Sequence, residues 1–330
     1  MNSIEVKMAA LLQEKIGLDP NVIGIREISR VLERHRVACN CSSLETYFHY
    51  LQTNKAEFEA LIESVVVPET WFFRDGEPFN FLVRYINTEK LFHQTDKIKI
   101  LSVPCASGEE PYSIAITLLE AGFKPHQFQI DAVDISQKSL QKAQRGVYTR
   151  HSFRGNYLEF RERYFLPITT TEYQLIDSVK NCVNFSMENL INFGFLSNKN
   201  PYHIIFCRNV LIYFDSPLQA KVLQIFHFGL AKAGYLFLGR SESVSQAEQL
   251  FSPVDLRERL FHKTGESLQP HPITPLVIAK TPAQRRDRKI DLLLAGLIEH
   301  FDLTAVLCDL AGNIQHTAGA VDRYLQFPVG

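Results

Sequence analysis

Carboxylate side chains follow two of the short apolar runs in this sequence. Glu109 and Glu110 come after the run KIKILSV and the small-residue loop 104–108, at the start of a predicted helix, and Asp134 ends the run QIDAVDI. Small residues let a ligand approach the backbone, whereas two acids at a helix start repel a phosphate. A cationic nucleoside without phosphate therefore fits this loop, with Asp134 accepting the hydroxyls of its ribose. Taken singly, the glutamates could merely complement a helix dipole, and Asp134 could merely cap a helix.

A second set of polar residues lies beside other apolar and aromatic runs. Arg74 belongs to VVVPETWFFRD, where the aromatic rings are expected to pack in a core and to hold the guanidinium in a geometry suited to a carboxylate. Arg208, Asn209 and Tyr213 follow the run YHIIFC, at the strand end where α/β sheets bind ligands. The dinucleotide motif Gly-x-Gly-x-x-Gly is absent from the sequence. The 6 cysteines lack the paired spacing of a zinc site, so no metal is expected.

Hydrophobic spacing divides the chain into five segments. Residues 1–67 repeat apolar positions at helical intervals and are predicted to form a small helical domain, followed by a linker and connecting helix at 68–96. From 97 to 264, apolar runs alternate with helix-length stretches, which predicts a doubly wound, Rossmann-like α/β domain. Within it, a Thr- and Val-rich interval at about 164–187 predicts an antiparallel β insertion. A proline-rich linker is predicted at 265–283, before a last segment at 284–330.

Composition limits the functional classes open to the chain. Its 330 residues are 45% hydrophobic, which suffices for two or three packed units. The 35 Lys and Arg balance 36 Asp and Glu, so no overall field attracts nucleic acid or an anionic membrane. The first residues lack a cleavable apolar core, and no run approaches the ~20 apolar residues of a membrane span. We therefore expect a cytoplasmic protein without nucleic-acid partners or membrane insertion.

Five motifs along the chain are similar to those of a known family. They are ETWFFRD, PCASGEEPYSIA, AVDIS, FCRNVLIYF and LFLGRSES. In this order and at these separations, they make residues 1–264 resemble the CheR-type family of chemotaxis receptor glutamate methyltransferases. The resemblance implies S-adenosyl-L-methionine as cofactor and S-adenosyl-L-homocysteine as product. It also implies that the partner is the cytoplasmic helical region of a chemoreceptor-type protein.

The resemblance assigns roles to individual residues. Cofactor binding is implied for the following set: Thr70, Arg74, Glu110, Asp134, Asn189, Leu190, Asn209 and Val210. Glu110 would receive the methionyl ammonium, and Asp134 would bind the ribose. Arg74, Arg208 and Tyr213 are expected to be catalytic, with Arg74 and Tyr213 positioning the substrate carboxylate.

Two departures from the family pattern carry consequences. Pro68 replaces an asparagine that some members have two residues before the linker threonine, which puts one hydrogen bond near the cofactor in doubt. The stretch LPITTTEYQLIDSV lacks the glycine-rich loop of members that dock on a receptor's carboxyl-terminal pentapeptide. We therefore expect substrate binding that is independent of such a pentapeptide.

A basic helical face is predicted in the amino-terminal segment. Arg26, Arg30 and Arg34 recur every four residues within GIREISRVLERHRV, so they lie on one side of a helix. An acidic receptor helix could dock there. The alternative is a solvated face whose charge is relieved by Glu27 and Glu33.

The last segment, residues 284–330, is predicted to contain a helix and a pair of strands. Residues 285–301 predict an amphipathic helix, and AVLCDLAGNIQHT predicts a strand, a tight turn at 309–313 and a second strand. This segment resembles the start of a PAS-type sensor domain and stops before such a fold is complete, so we expect a piece of a longer protein. Two other functions stay open: an S-adenosylmethionine-binding signalling module with weak or no catalysis, and a methyltransferase of a different protein or small molecule.

Overall fold

The chain forms two compact units, Met1–His271 and Pro272–Gly330. The computed structural model describes residues 3–88, 97–154, 159–192, 196, 201–265, 305–308 and 314–318. Within these ranges, no helix has both the length and the apolar character needed to cross a bilayer. All the candidate site residues lie in the first unit.

Five helices open the chain. They are α1 (Ser3–Ile16), α2 (Pro20–Ile23), α3 (Ile25–Ala38), α4 (Leu44–Thr53) and α5 (Lys55–Val65). Side chains cap two of them: the Ser43 hydroxyl accepts from the amide of Thr46 at 3.2 Å, and the Asn54 side chain accepts from the amide of Glu57 at 2.9 Å. Their apolar faces meet in a common core around the fully buried Leu32. The predicted helical start of the chain is confirmed.

A seven-stranded sheet follows, with a smaller sheet and a hairpin beside it in sequence. The strands are β1 (Ile98–Ser102), β2 (Phe128–Asp134), β3 (Val147–Thr149), β4 (Phe165–Pro167), β5 (Glu172–Leu175), β6 (Val183–Met187), β7 (Tyr202–Cys207), β8 (Leu230–Leu238), β9 (Phe251–Asp255), β10 (Leu260–Lys263), β11 (Ala305–Cys308) and β12 (Ile314–Ala318). The large sheet has the order β6-β2-β1-β7-β8-β10-β9. Its first five strands pair in parallel, and β10 runs antiparallel to β8 and β9. The chain therefore reverses its winding direction between β1 and β7, the point where open α/β sheets bind ligands.

Helices cover both faces of this sheet. The remaining helices are α6 (Glu77–Thr88), α7 (Glu109–Glu120), α8 (Gln137–Arg145), α9 (Glu159–Tyr164), α10 (Asp177–Lys180) and α11 (Ser216–Gly229). Alternate residues of each strand enter opposite cores: Ile100 packs with α6 and α7, whereas its neighbour Leu101 packs with α11. Burial on both faces explains why the parallel strands are almost continuously apolar. The predicted doubly wound fold is confirmed.

The small antiparallel sheet is confirmed, but its extent differs from the prediction. Its strand order is β3-β5-β4, so it begins before the expected insertion at about 164–187. At the other end, β6 pairs in parallel with β2 and belongs to the large sheet. Val183–Met187 is polar at several positions because it is the edge strand of the large sheet. Among the described strands, it pairs only with β2. Alternation alone could not separate an edge strand from an insertion.

The second unit is described only at one hairpin. Strands β11 and β12 pair antiparallel, which confirms the two predicted strands, whereas the turn predicted at 309–313 lies outside the described residues. The helix expected at 285–301, and the linker expected at 265–283 apart from its first residue, lie outside the described residues. The PAS-type resemblance of 284–330 stays a prediction.

Aromatic packing joins the linker to the small sheet. The ring of Phe72, 2% exposed, lies 4.8 Å from Tyr148, 5.3 Å from Phe153 and 5.0 Å from Phe165, measured between centroids. Edge and offset contacts of this kind add to the stabilisation from burial alone. The aromatic residues of ETWFFRD therefore hold the linker against the β domain, as the sequence predicts for Phe72.

Replacing Phe72 by alanine should remove the centre of this aromatic cluster. We expect Phe72→Ala to lower the free energy of unfolding by about 3–5 kcal/mol, because it leaves a cavity among rings that are held by separate strands. Denaturant unfolding measures this loss. Val37→Ala is the matched control, since Val37 is 57% exposed, and it should change stability by less than about 0.5 kcal/mol. Equal stability of the two variants would contradict this account of the linker.

Candidate functional site

A pocket opens at the carboxyl ends of β1, β2 and β7 and reaches the amino-terminal helices. It contains about 1180 Å³ of space, counted to its open mouth. The structure brings together in its wall every predicted cofactor-binding and catalytic residue: Thr70, Arg74, Glu110, Asp134, Asn189, Leu190, Arg208, Asn209, Val210 and Tyr213. These residues come from five separate stretches of the chain. The pocket is large enough for a nucleoside with an amino-acid tail.

The loop between β1 and α7 brings backbone close to the pocket. The Val103–Pro104 peptide bond is cis, and Ala106 and Gly108 have left-handed φ angles of 45° and 92°. A Cβ atom on Gly108 would lie 2.8 Å from the side chain of Ala143, so only glycine fits there. The amide of Ala106 donates to Asp134 Oδ2 at 2.7 Å. The loop is thus bound to the next strand of the sheet at the predicted ribose position.

Asp134 lies at the end of β2 and is 7% exposed. Its Oδ1 accepts from the amide of Ser136 at 2.9 Å, but the N-cap of α8 is Ser136, whose hydroxyl accepts from the amide of Ser139 at 3.0 Å. Asp134 is therefore not the helix cap. Burial raises the pKa of its carboxyl, and the backbone hydrogen bonds oppose that rise. Each oxygen has one amide partner, which leaves further lone pairs for ligand hydroxyls.

The two adjacent glutamates of the loop have different surroundings. Glu109 is 1% exposed, and its carboxylate accepts from the hydroxyls of Ser107 and Ser152 at 2.7 and 2.8 Å. Glu110 lines the pocket and accepts from the hydroxyl of Ser102 at 2.8 Å. Burial raises the pKa of Glu110, opposed by Arg208, Ser102 and Arg74. Only the second acid is available to a ligand.

Arg208 connects two acids on the pocket wall. Its side chain is 2% exposed, and its guanidinium pairs with Glu110 Oε2 at 3.2 Å and with Asp75. It also donates to the carbonyl of Arg74 at 3.1 Å, while its Nε has no hydrogen-bond partner among the described residues. Asp75 also pairs with Arg240 at 3.6 Å, so each acid has a cation nearby, and Glu110 keeps lone pairs that an ammonium group could use. These contacts assign Arg208 to holding Glu110.

Arg74 lies at the pocket wall on an aromatic surface. Its guanidinium lies 4.5 Å from the centroid of the Trp71 ring and donates to the carbonyl of Glu69 at 2.8 Å. Arg154 lies on the same ring at 4.9 Å and pairs with Glu69 at 3.2 Å. Across the described part of the chain, no carboxylate lies within ion-pair distance of Arg74. Its charge is therefore available to an anionic ligand.

A carboxylate that the sequence reasoning missed shapes the opposite wall. Glu242, 3% exposed, accepts four backbone hydrogen bonds: from Gly239 at 2.6 Å, Asn209 at 3.0 Å, and Val210 and Leu211 at 2.7 Å. These bonds hold Asn209 at a left-handed φ of 62°. Glu242 lies within the motif LFLGRSES, but three of its four partners are 31 to 33 residues away along the chain, so no local pattern could reveal these contacts. Asp75 was missed for the same reason.

The amino-terminal helices complete the pocket. Ile16, Leu18 and Ile23 line it from this side. The Asn189 side chain donates to the carbonyl of Lys15 at 2.7 Å. The amide of Asp19 donates to the carbonyl of Tyr213 at 2.8 Å. The helical segment is therefore a wall of the pocket as well as a candidate docking surface.

The predicted docking arginines lie outside the pocket. Arg26, Arg30 and Arg34 are all exposed on α3, which begins two residues after Ile23 of the pocket wall. Arg30 pairs with Glu27 at 2.7 Å, so part of the positive charge is neutralised, as expected for a solvated helix face. Exposed pairs of this kind stabilise by little and can exchange partners.

Replacing Glu242 should loosen the Asn209–Tyr213 wall. Glu242→Gln presents an amide NH2 to backbone donors, so we expect a loss of about 2–3 kcal/mol in unfolding free energy. We also expect about tenfold weaker binding of S-adenosylhomocysteine, equivalent to about 1.4 kcal/mol. Denaturation and calorimetry measure the two effects. Glu248→Gln, at an exposed position, is the control; if both variants match the unmodified protein, Glu242 does not shape the site.

Comparison with known proteins agrees with this geometry. The family described as "CheR methyltransferase, SAM binding domain" matches residues 68–260. The "Probable biofilm formation methyltransferase WspC" of Pseudomonas aeruginosa is 35% identical, over 96% of this chain and 81% of its own. "Chemotaxis protein methyltransferase 2" of Vibrio cholerae is 36% identical, over 69% of this chain and 80% of its own. The "Chemotaxis protein methyltransferase" of Salmonella typhimurium is 33% identical, over 68% and 77%.

The family match extends from the linker that carries Arg74 to the last strand of the large sheet. It therefore includes every wall of the pocket except the one made by the amino-terminal helices, and the WspC relative extends over those helices as well. The chain belongs to the CheR family of S-adenosylmethionine-dependent methyltransferases.

Proposed function

We propose that this protein transfers the methyl group of S-adenosylmethionine to glutamate side chains of a chemoreceptor-type signalling protein. The names of the curated relatives support a receptor substrate. The observation that carries the choice of a carboxylate acceptor is the position of Arg74. Its guanidinium lies on Trp71 at the wall of the cofactor pocket, near Glu110, and forms no ion pair among the described residues.

The pocket supports specific assignments for the cofactor. Glu110 holds the methionyl amino group, because it is the loop carboxylate that lines the pocket and Arg208 and Ser102 fix its position. Asp134 holds the ribose hydroxyls at the end of β2. Thr70, Asn189, Leu190, Asn209 and Val210 line the remaining space around the adenosine. Asn189 donates one of its two amide hydrogens to Lys15 and accepts from the amide of Ile191 at 3.2 Å, so one hydrogen and one lone pair stay for the cofactor.

The protein's part in the reaction is alignment. When bound, S-adenosylmethionine supplies a methyl group on a sulfonium, which a carboxylate can attack directly. A glutamate is ionised at neutral pH, so no strong general base is required. Arg74 and Tyr213 orient the acceptor carboxylate, and apolar residues of the helical wall exclude water. Fixing the reacting atoms in line can lower the barrier by several kcal/mol.

Substrate docking uses the exposed face of α3. Arg26, Arg30 and Arg34 present positive charge to an acidic receptor helix. The turn between β4 and β5 supports pentapeptide-independent docking, since it is short and closed by the Thr169 hydroxyl, which accepts from the amides of Thr171 and Glu172 at 3.2 and 3.0 Å. A receptor's cytoplasmic region as partner places the protein in the cytoplasm.

Replacing Asp134 tests the cofactor assignment. Asp134→Ala removes the ribose acceptor and should abolish binding of S-adenosylmethionine as measured by calorimetry. Asp131→Ala is the control, because Asp131 lies on the same strand outside this pocket. Unchanged affinity of Asp134→Ala would remove Asp134 from the site.

The transfer reaction itself can be tested with labelled cofactor. Incubation with labelled S-adenosylmethionine and receptor cytoplasmic domains should produce methyl esters that base releases as methanol. Arg74→Ala should lower turnover about 100-fold or more, an order typical of lost positioning, while leaving the unfolding midpoint nearly unchanged. Label that resists base, or that appears only on small molecules, would reject glutamate esterification.

Charge reversal on α3 tests the docking face. Arg30→Glu with Arg34→Glu should raise the KM for the receptor domain about tenfold or more and leave the KM for the cofactor unchanged, with the effect diminishing at high salt. Lys55→Glu is the control, since this lysine is 90% exposed on a different helix. Equal receptor KM values for all three proteins would favour the solvated-face alternative.

A further inference from the structure

One carboxylate of the helical segment reaches the cofactor side of the α/β domain. Glu63 lies on α5, yet its Oε2 accepts from the hydroxyl of Ser136 at 2.6 Å and its Oε1 accepts from the amide of Lys138 at 3.1 Å. These partners are more than 70 residues away in sequence. They belong to the start of α8, where free amides and the helix dipole favour a negative charge.

The partners of Glu63 adjoin the predicted ribose acceptor. Ser136 lines the pocket, and its amide donates to Asp134 at 2.9 Å. As the N-cap of α8, the Ser136 hydroxyl oxygen accepts from the amide of Ser139, while its hydrogen is donated to Glu63. These two contacts together fix the orientation of the hydroxyl. Glu63 therefore acts on the turn that sets the position of the Asp134 carboxylate.

We infer that Glu63 is a positioning residue for the cofactor, which fastens the helical segment to the turn that carries Asp134. It does not touch the reacting atoms, and it acts through Ser136. The inference rests on the proposed role of Asp134 at the ribose and does not depend on which substrate receives the methyl group.

The charge of Glu63 should affect how cofactor affinity depends on pH. Burial is the main reason that the pKa of Asp134 is raised, and the negative charge of Glu63 raises it further. Glu110 and Glu188 line the same pocket as Asp134, and the buried Cys105 thiol also interacts with it. Burial raises the pKa of Cys105, so this thiol stays neutral. Asp134 accepts hydroxyls best as a carboxylate, and Glu110, whose pKa burial also raises, holds the ammonium best as a carboxylate. Cofactor affinity therefore falls at acid pH through both groups. Removing the Glu63 charge lowers the pKa of Asp134 and moves its share of the affinity loss to lower pH.

The test is calorimetric binding of S-adenosylhomocysteine to the full chain across a pH series. For Glu63→Gln we expect about tenfold weaker binding at neutral pH, an effect of the size of one charged hydrogen bond, together with an acid limb displaced to lower pH. Glu63→Asp keeps the charge but is one methylene shorter, so it should weaken binding without displacing the acid limb. Glu59→Gln, on the same helix with a side chain 52% exposed, should match the unmodified protein.

The outcomes separate the possible failures. Unchanged affinity in both Glu63 variants would overturn the inference, even if Asp134→Ala abolishes binding as proposed. An affinity loss with the acid limb unmoved in Glu63→Gln would show a purely structural contact and would equally overturn it. If Glu63→Gln does not fold, Glu63→Asp still decides, because wild-type affinity in that variant contradicts the positioning role.

Discussion

A single buried guanidinium organises the site. Arg208 is placed at the end of a central parallel strand, and it pairs with Glu110 from the helix after β1 and with Asp75 from the linker. Asp75 also pairs with Arg240 at 3.6 Å, so Arg208 fixes Glu110 in place while the Glu110 oxygens keep lone pairs for a cationic ligand. The position of the linker, the orientation of Glu110 and the charge of the pocket therefore all depend on Arg208. A cofactor with an ammonium group satisfies this arrangement.

The amino-terminal helical segment encloses the pocket, which the open edge of the sheet leaves exposed. The carboxyl edge of an open sheet is exposed to solvent, and a methyl transfer to a carboxylate benefits from exclusion of water. The last turn of α1 accepts from Asn189, the turn after α1 donates to Tyr213, and α5 reaches Ser136, so three separate contacts close the pocket from the same side. The docking arginines of α3 belong to the same segment. The proposed docking face and the helical wall of the pocket thus belong to one structural element.

Features that depend on neighbouring residues in the sequence could be predicted, whereas contacts between distant residues could not. Asp134 and Glu110 were predictable, because their positions after strands are local patterns, and the doubly wound sheet followed from buried apolar runs. The environment of Glu109 was not, since its serine partner Ser152 is 43 residues away. Glu242 escaped notice because its four bonds are to backbone amides, which leave no residue signature. The strand Val183–Met187 was misassigned because an edge strand and an insertion share the same polar pattern.

A cofactor analogue without an amino group tests most directly whether Glu110, held by Arg208, binds the amino group of the cofactor. Calorimetry should compare S-adenosylhomocysteine with an analogue that lacks the α-amino group, on the unmodified protein and on Glu110→Gln. We expect the analogue to bind the unmodified protein at least about tenfold more weakly, since it lacks the charged hydrogen bond from the ammonium to Glu110. In Glu110→Gln this difference should largely vanish. Equal affinity of the two ligands for the unmodified protein would contradict the role assigned to the shared Arg208.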